Sequence, residues 1–313
     1  MRAPGLLALL PFVLTLAACA ADAAPGAVDD EAVGDETEVA EEAVTACPAR
    51  AERTVKVVSA NLLEGGVWND ANKREQNWAT MDKFVDLAKA IDATVIAAQE
   101  TVSAASADRL LDRLDAVTGK RWAKQDTVAT PGWAIKTAIY WRTDAIDLVE
   151  SLGHRDLGKL DSNGYTIRFH GALLRSRAGG ETFAVFTGKL PWTNGAENLR
   201  MAPVLRDWVR DVTAPYPNSP RVIAMDMNAP LNSPTWKLFA ADYDDSGATL
   251  PTHPSNGWFS LRKRLDYIWV DRGAGPRESC AFLEPVRRSM HFGSDHRFVW
   301  GDVYLPRASA RVR

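Results

Sequence analysis

The sequence predicts an α/β chain whose strands form a mixed sheet or a pair of sheets, and three observations predict it. Strand-like runs alternate with helically spaced segments in some places and with hairpin-like turns in others. At 313 residues, with 46% hydrophobic and 25% charged, the chain can fill one large core or two small ones, and one large domain is expected. Short polar motifs stand where apolar runs end: Gln99-Glu100, Asp226-Met227-Asn228, Arg264-Leu265-Asp266-Tyr267 and Ser294-Asp295-His296.

Taken in order, Val55 to Ala60 is a strand candidate running into Asn61. Lys73 to Ile91 follows as a helix, with Phe84, Leu87, Ala88 and Ile91 at helical spacing. Thr94 to Gln99 is the next strand, and Leu110, Leu111, Leu114 and Val117 mark a second helix. Lys136 to Trp141, Ala145 to Leu152, Tyr165 to Leu174 and Thr182 to Thr187 then read as successive strands. A third helix fits Ala196 to Val212, with Leu205, Trp208, Val209 and Val212 on one face. Arg221 to Met225, Leu265 to Val270 and Phe298 to Leu305 complete about nine or ten strands with three or four helices. No internal repeat is visible. Of the eleven Trp residues, Trp68, Trp192 and Trp258 fall in Gly-, Asn- and Pro-rich loops and could border a cleft.

The first residues carry an address. Arg2 precedes an apolar run from Leu6 to Ala18, 13 residues, too short to span a bilayer but suited to a signal peptide over 1–18. Leu16-Ala17-Ala18-Cys19 resembles the lipobox of bacterial lipoproteins, implying cleavage before Cys19 and a lipid on its thiol; an ordinary secretory signal cut elsewhere is the alternative. Residues 20–46 hold nine Asp or Glu, no Lys or Arg and no aromatic residue, a composition that cannot bury enough surface to fold. Residues 19–49 thus read as an anchored acidic linker. The expected location is the bacterial cell envelope or the medium. Cys47 and Cys280 are the remaining cysteines; in an exported chain they form either a disulfide or two separate buried thiols. A bridge would close a very long loop, worth at most about 5 kcal/mol.

Charge divides along the chain. The whole has net charge -3, yet residues 50–313 hold 36 Lys plus Arg against 31 Asp plus Glu. A mildly basic domain fits a phosphate-bearing substrate, and many ordinary domains are as basic.

The strand-end motifs carry the chemistry. A set poor in Cys and rich in Asp, Glu and Asn suits a hard cation such as Mg2+ (or Mn2+) rather than zinc. Singly, each has an ordinary explanation: Asp and Asn after a strand bond their own backbone in turns, Glu100 could cap a helix, and Asp295 could brace His296. In their order along the chain, Ser59-Ala60-Asn61-Leu62, Gln99-Glu100, Met225-Asp226-Met227-Asn228, Arg264-Leu265-Asp266-Tyr267-Ile268 and Ser294-Asp295-His296 resemble the endonuclease/exonuclease/phosphatase superfamily over about residues 54–305. The resemblance implies a domain over 50–313 with a four-layer α-β-β-α sandwich of two mixed sheets, as in deoxyribonuclease I. It implies metal-dependent cleavage of phosphate esters. It gives Glu100 as the main metal ligand, with Asn61 and Asp295 close to the ion. Asp226 would orient or activate water, Asn228 would hold a phosphate oxygen, and His296 would stabilise the transition state.

One position departs. Where the family has Thr-His-Leu, this chain reads Thr187-Gly188-Lys189-Leu190, and the expectation is that Lys189 replaces a histidine paired with Asp266. An ammonium beside a carboxylate is a poor proton shuttle near neutral pH, so electrostatic stabilisation is the role it suits; the alternative is a surface lysine in a slow or inactive enzyme. His170 shares a strand face with Thr166 and Arg168 and could point toward a cleft, and His154, His253 and His291 are other histidines that could stand in.

The expected function is an exported metal-dependent phosphodiesterase, a nuclease foremost, acting as a monomer and meeting the membrane only through its lipid. Arg262-Lys263-Arg264 is the densest basic run available to nucleic acid. A sphingomyelinase-like phospholipase and a non-catalytic surface module that keeps the fold are the competing readings.

Overall fold

A computed structural model of the chain describes residues 54–62, 74–101, 104–126, 136–160, 164–192, 195–245, 251–254, 261–272, 287–288, 294 and 296–305. The chain divides into Met1–Thr45 and Ala46–Arg313, and every described residue belongs to the second unit. The signal peptide, Cys19, the acidic linker, Cys47, Cys280, Trp68, Trp258, His291 and Asp295 lie outside the described residues.

In chain order the elements are β1 (Thr54–Asn61), α1 (Arg74–Ala90), β2 (Val95–Gln99), α2 (Ala104–Thr118), β3 (Trp122–Asp126), β4 (Thr137–Arg142), β5 (Ile146–Lys159), β6 (Thr166–Ser176) and β7 (Thr182–Lys189). There follow α3 (Gly195–Thr213), β8 (Arg221–Asp226), α4 (Pro234–Ala240), β9 (Tyr243–Asp244), β10 (His253–Pro254), β11 (Leu261–Lys263), β12 (Asp266–Asp271), β13 (Arg287–Arg288) and β14 (Val299–Tyr304). Among the described residues no helix is long and apolar enough to cross a membrane.

Two six-stranded sheets result, in the orders β13-β14-β1-β2-β4-β3 and β5-β6-β7-β8-β12-β9, beside a small β10-β11 ladder. Each large sheet contains one parallel pair, β1 with β2 and β7 with β8, and antiparallel neighbours elsewhere. A parallel pair needs a crossover, and α1 and α3 supply the two.

Strand periodicity explains how the sheets stack. Successive side chains point to opposite faces, so in β1 Val55 and Val57 enter one core while Val58 and Ala60 enter another. The first core also takes Val95 and Ala97 of β2, Phe183 and Val185 of β7, Val222 and Ala224 of β8, and Ile268 and Val270 of β12. It therefore lies between the two sheets. Val58, Ala60, Ile96 and Ala98 pack instead with Phe84, Val85, Leu110 and Leu114 of α1 and α2. On the far side Phe169, Phe186, Ile223 and Trp269 meet Leu205 and Val209 of α3 and Phe239 of α4. The layers are α-β-β-α, and strands covered on both faces read as continuous apolar runs rather than as alternation. Burying each such Val, Ile or Phe contributes about 1.5–3 kcal/mol.

Several elements differ from the sequence reading. β3 was not anticipated: Trp122-Ala123-Lys124-Gln125-Asp126 is a partly buried edge strand with one buried anchor, Trp122, too polar to stand out. β5 runs past Leu152 to Lys159 through bulges against β6; it is an edge strand, and most of its side chains are solvated. α4 begins at Pro234 with Ser233 as N-cap, whose Oγ accepts from Trp236 N at 3.1 Å, a start signal present in the sequence but short.

His170 does not face a cleft. It is buried, with Nε2 donating to Gln125 O at 3.2 Å and Nδ1 accepting from Thr137 Oγ1 at 2.6 Å. Burial pushes its pKa down to about 4 despite the Gln125 carbonyl, so the neutral ring fastens β6 of the second sheet to β3 and β4 of the first.

Candidate active site

The inter-sheet face changes character toward one end. In β1 the row Val55, Val57 continues to Ser59 and Asn61; in β2, Val95 and Ala97 continue to Gln99. In β7, Phe183 and Val185 continue to Thr187 and Lys189; in β8, Val222 and Ala224 end at Asp226, and Asp266 opens β12. The first polar row is structural. Gln99 Nε2 lies 2.9 Å from Thr187 Oγ1, 3.2 Å from Ser59 Oγ and 3.2 Å from Ala224 O, tying the two sheets. Ser59, Gln99 and Thr187 all fell within stretches the sequence reading quoted, but none was given this tying role.

The second polar row holds the candidate reacting groups. Asp226 is central: β7 and β12 flank β8, with Lys189 and Asp266 directly across from Asp226 on either side. Its Oδ2 accepts from Asn61 Nδ2 at 2.9 Å and Asn228 Nδ2 at 3.0 Å, with Lys189 Nζ at 3.3 Å and His296 Nε2 at 3.7 Å. Its Oδ1 accepts from Asn228 N at 3.0 Å. Asn61 also donates to Glu100 Oε1 at 3.0 Å, bridging the sheets through its amide nitrogen. Glu100 and Asn228 both take left-handed backbone, φ 58° and 48°, unusual for Glu and tolerated by Asn. Such strain persists where the surroundings over-determine it.

Lys189 pairs with Glu100 Oε1 and Asp226, not with Asp266. The register gives the reason: Asp226 stands between Lys189 and Asp266, which are two strand spacings apart, about 9–10 Å of backbone. Asp266 is instead taken by His296, whose Nδ1 lies 2.8 Å from Asp266 Oδ2. Ser294 sets that histidine, accepting from His296 N at 3.0 Å while donating to Asn61 O at 2.8 Å. Burial alone would lower the His296 pKa, but the carboxylates of Asp266 and Asp226 outweigh it and Lys189 opposes them only in part, leaving it raised to about 9. The ring is an imidazolium at neutral pH, with Nε2 aimed toward Asp226.

Other supports left no sequence signal. Thr252 Oγ1 accepts from Leu265 N at 3.0 Å and Asp266 N at 3.2 Å. Asn198 Nδ2 donates to Met227 O at 2.7 Å and Pro191 O at 3.1 Å, joining the loops after β7 and β8. Arg264, counted in the basic run, is buried in a forked pair with Asp245 and lies 4.3 Å over the Tyr267 ring, so it braces the loop rather than offering charge to a ligand.

The donors fit a hard cation. Asp226 and Asp266 bring carboxylate oxygens within 4.8 Å of one another and of the His296 ring, Glu100 adds a carboxylate, and Asp266 Oδ1 is buried without a hydrogen-bond partner. Oxygen dominates the set, as Mg2+ or Mn2+ requires.

The model of the Endonuclease/Exonuclease/phosphatase family matches residues 58–296. No curated protein matches the chain. Among solved structures, an endonuclease/exonuclease/phosphatase family protein from Bacteroides thetaiotaomicron superposes with a TM-score of 0.64 at 16% identity, over 80% of this chain and 98% of that one. A mannosyl-6-phosphatase from the same organism gives 0.64 at 16%, over 80% and 100%. The human Nocturnin catalytic domain, with a bound sulfate anion, gives 0.59 at 18%, over 80% and 94%. At these identities the likeness is one of fold, the deoxyribonuclease I-like α/β sandwich.

Proposed function

The chain belongs to the endonuclease/exonuclease/phosphatase family, and from that premise we propose that this phosphoester hydrolase is a divalent-metal-dependent phosphodiesterase, with nucleic acid as its foremost substrate. The observation that carries the reading is the convergence of Glu100, Asp226 and the Asp266–His296 couple at one end of the inter-sheet face.

Hydrolysis of a phosphodiester needs charge neutralisation, an oriented water and donors toward the developing negative charge. Glu100, with Asn61 beside it, would hold Mg2+ or Mn2+, which when bound neutralises phosphate charge; the family resemblance adds Asp295 to that set. Asp226 orients the attacking water, since three donors from Asn61 and Asn228 fix its carboxylate. His296, charged and held by Asp266, presents Nε2–H to the phosphate oxygens. Asn228 uses its amide on Leu190 O and Asp226 Oδ2, each at 3.0 Å, and would take a phosphate oxygen by releasing one of them.

The purified chain should cleave plasmid DNA or a synthetic phosphodiester with Mg2+ or Mn2+ and lose that activity in EDTA. Asp226→Ala should lower kcat by about 100-fold or more with an unchanged circular dichroism spectrum. Full activity in that variant would remove Asp226 from the mechanism. Sugar phosphates and sphingomyelin liposomes belong in the same assay, because one fold neighbour is a mannosyl-6-phosphatase. Turnover of none of these would favour the binding-module reading.

We also infer export with a lipid on Cys19, supported by the 13-residue apolar run and the small residues before that cysteine. In a bacterial host the full chain should partition with membranes and Cys19→Ser should not; equal partitioning would argue for an ordinary secretory signal.

A further inference from the structure

Lys189 sits inside the carboxylate cluster, and the hydrolysis outlined above gives it no task. Its side chain is 10% exposed, its Nζ touches Glu100 Oε1 and lies 3.3 Å from Asp226 Oδ2. A lysine ammonium, charged at neutral pH, therefore stands on one of the two oxygens through which Glu100 could hold a divalent ion. The same Glu100 oxygen already accepts from Asn61 Nδ2 at 3.0 Å, so a third ligand has to displace something, and like charges a few ångströms apart in a buried site repel strongly.

A second seat for the ammonium is adjacent. Trp192 places its ring centroid 5.0 Å from Lys189 Nζ, within cation–π range. The segment carrying Trp192 is fastened, with Leu190 N donating to Asp226 O at 2.9 Å and Asn198 Nδ2 to Pro191 O at 3.1 Å.

We propose that Lys189 is a built-in counter-ion that competes with the divalent cation for Glu100, so that the metal binds only by displacing the ammonium, which Trp192 and Asp226 then retain beside the phosphate. This rests on the metal-dependent reading of the site. Weak metal binding, and a metal-free protein whose buried carboxylates are already partnered, both follow.

Binding of Mg2+ and Mn2+ without substrate tests it, by titration calorimetry and by the metal-induced rise in Tm. Lys189→Met should lower the Tm of the metal-free protein, because it removes the cation paired with two buried carboxylates, and bind either ion at least about tenfold more tightly, 1.4 kcal/mol. Adding Glu100→Gln to it should erase that gain, and Lys189→Arg should bind as weakly as wild type. In wild type with 15N-labelled lysine, the Lys189 ammonium resonance should move as Mg2+ is added. A folded Lys189→Met that binds no more tightly than wild type overturns the proposal. So does a Lys189 resonance unmoved at the highest metal concentration the protein tolerates, which decides the matter if Lys189→Met does not fold. Absence of phosphate-ester turnover in the same wild-type sample would sink the hydrolase reading and leave these binding results standing.

Discussion

Asp266 and His296 form a buried couple at the residue scale, 2.8 Å apart. The carboxylate fixes the ring so that Nδ1 is protonated and Nε2 faces the site, and it favours the charged imidazolium. Asp266→Asn keeps an acceptor in nearly the same place but removes the charge. We expect kcat to fall by about 100-fold or more while KM and the fold hardly change. A variant with wild-type kcat would show that the imidazolium is not needed. Every residue of this couple was legible in the sequence, because Arg-Leu-Asp-Tyr and Ser-Asp-His stand as short polar words beside apolar strands. The pairing was not legible: Lys189 was expected opposite Asp266, and only the strand order, with β8 between β7 and β12, shows that Asp226 separates them.

At the scale of elements, the two parallel pairs explain why the site exists where it does. β1–α1–β2 and β7–α3–β8 both deliver the carboxyl ends of their strands to one end of the inter-sheet face, and the antiparallel β12 delivers its first residue there. The ends that reach the site are long apolar runs, which periodicity identifies well. β3, the part of β5 beyond Leu152 and the two-residue strands escaped because edge strands need not be apolar on both faces, so their sequences carry little pattern. Close packing also restricts what can lie beside the site. A Cβ on Gly188 would meet the Phe169 ring at 2.4 Å, so glycine next to Lys189 lets β7 lie flat against the outer core.

On the scale of the whole molecule, His170 ties one sheet to the other, and its protonation bears on stability. Its native pKa, about 4, lies below the ordinary 6.5, so the unfolded chain binds a proton in a range where the native state refuses it. The ring has no effect above about pH 7, and its penalty grows as pH falls through 6.5, reaching its limit below about 4. Between pH 7 and 5 this amounts to about 2 kcal/mol. Urea unfolding at the two pH values should show His170→Gln losing about that much less stability on acidification than wild type, whatever its stability at pH 7. Equal losses would mean that the ring is protonated in the native protein.

The placement of the acidic groups across two sheets has a further consequence. Asn61 and Glu100 come from one slab of the sandwich and Lys189, Asp226 and Asp266 from the other, joined through Gln99, Ser59 and Thr187. On the proposed reading the cluster is a gauge of the seam between the slabs: a slip of an ångström along it would misalign these side chains while leaving every strand hydrogen-bonded to its own neighbours.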